Sequence, residues 1–133
     1  MLNTIILNEM LKRILIIDDD EEHREILLET LTYYNFEVNV LADGKRLFEV
    51  IESFNPDLVL LDYILPGENG IVLCEKIRNN PGTSLLPVIL MSAYLGALDD
   101  ISCCNSILYK PFDLEVLLKR INEICYDEHI VHH

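Results

Sequence analysis

Positive charge is what this sequence is short of. Ten Lys and Arg stand against 23 Asp and Glu, a net charge of −13. A phosphate backbone needs a cationic surface, so the balance argues against nucleic acid as a partner and disfavours an anionic membrane surface. No apolar run approaches the roughly 20 residues that span a bilayer. The opening MLNTIILNEMLK carries Ile5, Ile6 and Leu7 but neither a basic start nor a small-residue cleavage site, so no secretory signal is expected. Cys74, Cys103, Cys104 and Cys125 show no C-x-x-C spacing and no nearby histidine. They read as small packed apolar residues in a reducing cytoplasm rather than as metal ligands or a disulfide frame, with the adjacent Cys103 and Cys104 at most a redox liability. Repeats and low-complexity tracts are absent, and five Gly and five Pro are few enough for a globular chain. At 133 residues, half of them apolar, one domain with a real core is expected.

What is present is an alternation of short apolar runs and helical periodicities. PDLVLLDYILPGENG, residues 56–70, organises the rest. Leu58 to Leu61 form the continuous apolar run of a strand buried on both faces of a parallel sheet. The run ends on Asp62 and breaks into a loop with Pro66, Gly67 and Gly70. Similar runs are RILII (13–17), ending in Asp18, Asp19 and Asp20, FEVNVLA (36–42), PVILM (87–91), ending at Ser92, and SILY (106–109), ending at Lys110-Pro111. Between them, Ile26, Leu27, Thr30, Leu31 and Tyr34 share one helical face, as do Leu47, Phe48, Ile51 and Phe54, and Leu73, Cys74 and Ile77. Residues 94–102 give the weakest helical pattern, with Leu95, Leu98 and Ile101 periodic but Gly96 lowering the propensity. The last helix carries Leu114, Leu117, Leu118, Ile121 and Cys125, with Asp113 placed to cap it. Five β-α units with right-handed crossovers predict a doubly wound (βα)5 parallel sheet with helices on both faces.

Strands lying side by side would bring Asp18, Asp19, Asp62, Ser92 and Lys110 to one edge, where open α/β sheets bind ligands. Singly, each residue has an ordinary explanation: Asp62 as a turn former or helix cap, and the acids after the first strand as partners of a helix dipole. Jointly they form a specific set. Clustered carboxylates call for a cation, and oxygen-only donors suit Mg²⁺, which binds through one or two carboxylates plus a phosphoryl oxygen. One carboxylate is then left to act as a nucleophile on phosphorus, with Lys110 and the Ser92 hydroxyl on the remaining phosphoryl oxygens.

On ILIIDDDEE, PDLVLLDYILPGENG, PVILMSA and YKPFDLEVLL the sequence resembles the receiver domain of bacterial response regulators, over residues 12–126. Residues 1–11 then form an N-terminal extension and 127–133 a C-terminal tail holding His129, His132 and His133. The resemblance implies a flavodoxin-like (βα)5 fold with strand order 2-1-3-4-5, and Asp62 as phosphoacceptor from a sensor kinase phosphohistidine or a phosphotransfer protein. It further implies Asp19 as direct Mg²⁺ ligand, Asp18 acting mostly through water, and the Ile64 backbone carbonyl as a further ligand. Ser92 matches the switch hydroxyl, Lys110 the phosphate-binding lysine, and Lys110-Pro111 the family's cis bond. The implied protein is a stand-alone cytoplasmic switch without conventional enzyme activity, signalling by contact with a downstream protein. Its last two strands and helices match the family's usual dimer face.

Departures from the family pattern lie near the second half of the site. The chain from Ser92 to Lys110 is shorter than usual by roughly four residues, about one helical turn, so a shortened fourth helix is expected. Cys103-Cys104 stand where Gly-Ala is usual, and Ile107 where an aromatic normally couples hydroxyl movement to the surface. Tyr94 and Tyr109 are candidate substitutes, although packing is the simpler reading of both. These departures favour one rival, a degenerate receiver acting as a phosphorylation-independent interaction module. A phosphatase of the haloacid-dehalogenase type is disfavoured, because it needs a second acid where Ile64 stands. His23, in the acidic opening of a helix, reads as a solvated surface residue.

Overall fold

A computed structural model describes residues 11–94 and 101–126. The elements in chain order are β1 (Arg13–Ile17), α1 (Glu21–Tyr33), β2 (Glu37–Leu41), α2 (Leu47–Phe54), β3 (Leu58–Asp62), α3 (Gly70–Asn79), β4 (Val88–Ser92), β5 (Ser106–Tyr109) and α4 (Leu114–Tyr126). The strands form one parallel sheet in the order β2-β1-β3-β4-β5, as the family resemblance implies. Two strands differ from expectation by one residue at each end: β2 is shorter at both ends than 36–42, and β4 is shifted from 87–91 to end on Ser92 itself. The helix expected over 94–102 falls mostly on 95–100, outside the described residues, and neither Tyr94 nor Ile101 and Ser102 is helical.

Strand alternation divides the core into two layers. Leu15, Ile17, Val59, Leu61, Val88 and Leu90 face α2 and α3, meeting Leu47, Ile51, Leu73, Cys74 and Ile77. Ile14, Ile16, Leu58, Leu60, Ile89 and Met91 face α1 and α4, meeting Leu27, Leu31, Leu117 and Ile121. The three central strands are therefore apolar on both faces, while β2 and β5, on the edges, are only half-buried. On α1 the expected apolar face is narrower than its periodicity suggests: Leu27 and Leu31 are fully buried, whereas Ile26 and Tyr34 are about half exposed. Cys74, Cys103 and Cys125 are buried and Cys104 is partly so, in line with a packing role. Burial, together with the neighbouring Cys103, pushes the Cys74 thiol up, away from thiolate character.

The connections end helices by local chemistry. Asn35 and Asn55 take positive φ after α1 and α2, a conformation Asn tolerates, and the Asn55 N–H caps the Ile51 carbonyl at 2.9 Å. Asp43 and Gly44 turn the chain as expected, the Lys45 N–H donating to the Asp43 carboxylate. In the last turn of α3, Arg78 holds the loops on either side of β4. Its guanidinium donates to the carbonyls of Cys103, Ser84 and Leu86 at 2.8, 2.6 and 3.0 Å, and to Asn105 Oδ1 at 3.3 Å. Lysine keeps the charge but cannot reproduce this fork. Arg78→Lys is expected to lower stability by about 1–2 kcal/mol, read as a shifted urea midpoint with an unchanged slope. An unshifted midpoint would show that the fork is redundant.

Candidate functional site

Register explains why the polar residues meet. Ile17 pairs with Leu61, so Asp18, the next residue, arrives level with Asp62. Asp62 pairs with Met91, and Ser92 with Tyr109, which leaves Ser92 and Lys110 each one step beyond a paired neighbour on the same edge. The Lys110 N–H is anchored to the Ser92 carbonyl at 2.7 Å, and the Lys110–Pro111 bond is cis.

Asp18, Asp62 and Ser92 are the buried polar side chains of the described residues, at 0, 6 and 1% exposure, in a core otherwise apolar. Such burial is sustained only by partners. Lys110 Nζ lies 3.1 Å from each oxygen of Asp62 and 3.6 Å from Asp18 Oδ2, bridging the two acids. Asp18 Oδ1 accepts the Asp20 N–H at 3.0 Å, and the Arg24 guanidinium donates to the Asp18 carbonyl at 2.8 Å. Ser92 Oγ accepts the Tyr94 N–H at 3.0 Å, and the Tyr94 ring meets Tyr63 edge-on at 6.3 Å.

The environments push the two buried acids apart. Burial raises Asp62 to about 6; Lys110 opposes the rise and the Asp18 charge adds to it. Burial acts against ionisation of Asp18 too, but hydrogen bonds from His23 and the Asp20 N–H, with the Lys110 charge, bring it down to about 2. Oxygens of Asp18, Asp19 and Asp62 lie within 4.8 Å of one another, with Asp19 exposed. An all-carboxylate donor set containing two desolvated acids fits a hard divalent cation such as Mg²⁺. Ile64, half exposed, stands two residues beyond Asp62 in the loop that α3 closes.

His23 is the residue that sequence reasoning misplaced. It is not a solvated surface group: its side chain is 23% exposed, its Nδ1 bonds Asp18 Oδ2, and its ring packs edge-on to Phe112 at 5.8 Å. The cause is helix-start geometry. Asp20 is the N-cap of α1, accepting from the Glu22 and His23 N–H groups, so His23 holds the third helical position, from which side chains reach back past the cap. The signal in the sequence is the spacing Asp18-x-Asp20-x-x-His23. Ile107 pairs with Leu90 and packs against the core layer over α2 and α3, so it fills space rather than lining the acidic edge.

A family model described as response regulator receiver domain matches residues 14–122. Among curated proteins, the chain is 33% identical over 119 residues to the DNA-binding response regulator MtrA of Mycolicibacterium smegmatis, covering 86% of this chain and 51% of that protein. It is 34% identical over 119 residues to the response regulator PleD of Caulobacter vibrioides, covering 86% and 26% respectively. The chain thus spans about half the length of MtrA and about a quarter of PleD. Among solved structures, a putative response regulator from Chloroflexus aurantiacus superposes with a TM-score of 0.80 at 31% identity, covering 86% of this chain and 98% of that one. The response regulator TrrA of Thermotoga maritima, in complex with Mg²⁺ and a beryllium fluoride, gives 0.78 at 29% identity, covering 86% and 99%. With five parallel strands in this order, an acid-lysine edge and a family match over most of its length, the chain belongs to the response regulator receiver domain family.

Proposed function

We propose that Asp62 accepts a phosphoryl group from a phosphohistidine, on a histidine kinase or a phosphotransfer protein, in a Mg²⁺-dependent reaction. The observation that carries this reading is the ammonium of Lys110 held at 3.1 Å from both Asp62 oxygens, with Asp18 and Asp19 alongside. An Asp62 oxygen attacks phosphorus, the P–N bond breaks, and the imidazole leaves with its electron pair. Lys110 moves with the phosphoryl oxygens it balances, and Ser92 supplies a hydroxyl from β4. Asp19, Asp62 and the Ile64 carbonyl would hold Mg²⁺, with Asp18 acting through water; the ion supplies charge neutralisation on the phosphoryl oxygens. The output of the domain runs through conformational change and protein contact.

Beryllofluoride with Mg²⁺ tests this. Amide resonances of residues 62–64, 92–94 and 110–112 are expected to shift together on addition of both components. A spectrum that ignores them would make the chain a phosphorylation-independent interaction module.

The acyl phosphate is also expected to be long-lived. Ile64 and Tyr94, two positions beyond the acceptor and the hydroxyl, are exposed, at 51 and 57%. Neither is suited to orient an in-line water, and the Tyr63–Tyr94 pair adds apolar cover. After removal of the phosphodonor, phosphoprotein in Mg²⁺ should persist for minutes or longer; decay within seconds contradicts the assignment.

A further inference from the structure

His23 belongs both to the acidic edge and to the groove beside it. The groove, about 540 Å³, runs between α1 and α4 and is lined by His23, Ile26, Phe112 and Leu114 together with Lys110 and Pro111. On the other side of the ring, Asp18 is sealed from solvent and both its oxygens are engaged: Oδ1 by the Asp20 N–H at 3.0 Å, Oδ2 by His23 Nδ1 with Lys110 Nζ at 3.6 Å. A carboxylate only accepts, so Nδ1 is the donor. A charge-assisted bond to an oxygen that water does not reach is not replaced by solvent when it breaks.

We propose that His23 is a positioning residue acting through Asp18: its Nδ1–H takes Oδ2, so an ion-bound water donating to Asp18 must share or displace this bond. The ring, packed on Phe112, thereby transmits ion occupancy to the α1–α4 groove. The inference rests on the acidic edge being a divalent-ion site. Two consequences distinguish it from a merely structural role. The histidine weakens ion binding rather than strengthening it, by the factor one hydrogen bond is worth. By linkage, whatever draws the ring into the groove tightens ion binding, and ion binding frees the ring toward the groove.

The test uses Mg²⁺ alone, titrated calorimetrically and by NMR into the full chain, into His23→Leu and into His23→Gln. His23→Leu removes the donor and should bind Mg²⁺ about three- to tenfold more tightly. His23→Gln keeps an N–H donor on a side chain of similar reach and should stay close to the parent. In the parent, the His23 and Phe112 ring resonances should shift with the same midpoint as the ion titration. Unchanged or weaker affinity in His23→Leu, with the parent binding normally, overturns the role of His23 alone. A parent that binds no Mg²⁺ overturns the ion site and the role of His23 with it.

Discussion

Asp62→Asn is expected to incorporate no phosphoryl group from acetyl phosphate, and at the same time to be more stable than the parent at pH 8 in EDTA. The first effect follows from the proposed role of Asp62 as nucleophile: an amide oxygen cannot form the acyl phosphate, and no other carboxylate of the site has Lys110 on both its oxygens. Undiminished labelling of the variant would end the assignment. The second effect follows from burial. Asp62 is 6% exposed and its carboxyl is pushed up to about 6, above the value near 3.9 expected in an unfolded chain. Between those values the folded protein binds more protons than the unfolded one, so this group makes stability fall as pH rises, and the full cost stands above pH 6. That cost is on the order of 2 kcal/mol. Asn removes it, so the advantage of the variant should be largest at pH 8 and shrink toward pH 4. Asp18 has the opposite sign: lowered to about 2, it contributes stability above its unfolded value that is lost as pH falls toward 2. Urea titrations of both proteins at pH 4, 6 and 8 read the difference directly; a pH-independent difference would mean that Asp62 is not the strained acid.

Gly70→Ala is expected to destabilise the fold by about 3 kcal/mol, the upper range for overpacking, and to slow phosphorylation as well. Gly70 opens α3, is buried, and donates its N–H to the Tyr63 carbonyl at 2.8 Å. A Cβ at this position would fall inside contact distance of the Asp62 carbonyl oxygen and only 3.0 Å from Tyr63 Cα. These are backbone atoms, not the end of a flexible side chain, so either the start of α3 or the backbone at Asp62 and Tyr63 must move. The variant should therefore show a lower thermal midpoint together with a reduced labelling rate in the fraction that stays folded. By contrast, Gly67 has φ of +78° with open space around a Cβ, so a substitution there strains only the turn. A Gly70→Ala protein of unchanged stability would show that the loop accommodates a side chain.

The polar set of the site was readable because buried parallel strands announce themselves. LVLLD, RILII followed by acids, VILMS and SILY followed by Lys110 are apolar runs whose first polar residue marks the sheet edge. Once the β-α order is known, handedness leaves few topologies, and one of them aligns those residues. Other features do not follow from local pattern. Ile26 and Tyr34 fit the period of α1 yet face outward, because α1 is pressed on one narrow strip of the sheet. The partners of Arg78 include groups up to 27 residues away along the chain. Gly70 is an ordinary loop glycine until α3 folds back against β3.

The order of apolar runs and their polar ends thus determined by itself a parallel sheet covered by helices on both faces and the arrival of Asp18, Asp62, Ser92 and Lys110 at one edge of it, since each is a consequence of strand period and parallel direction. Tertiary structure alone decided that Lys110 touches both Asp62 oxygens, that Asp62 is held above and Asp18 below the usual carboxylate range, and that His23 turns inward to Asp18. Those are matters of desolvation and of distances of a few ångströms between side chains from different elements, and such distances exist only once the elements have packed.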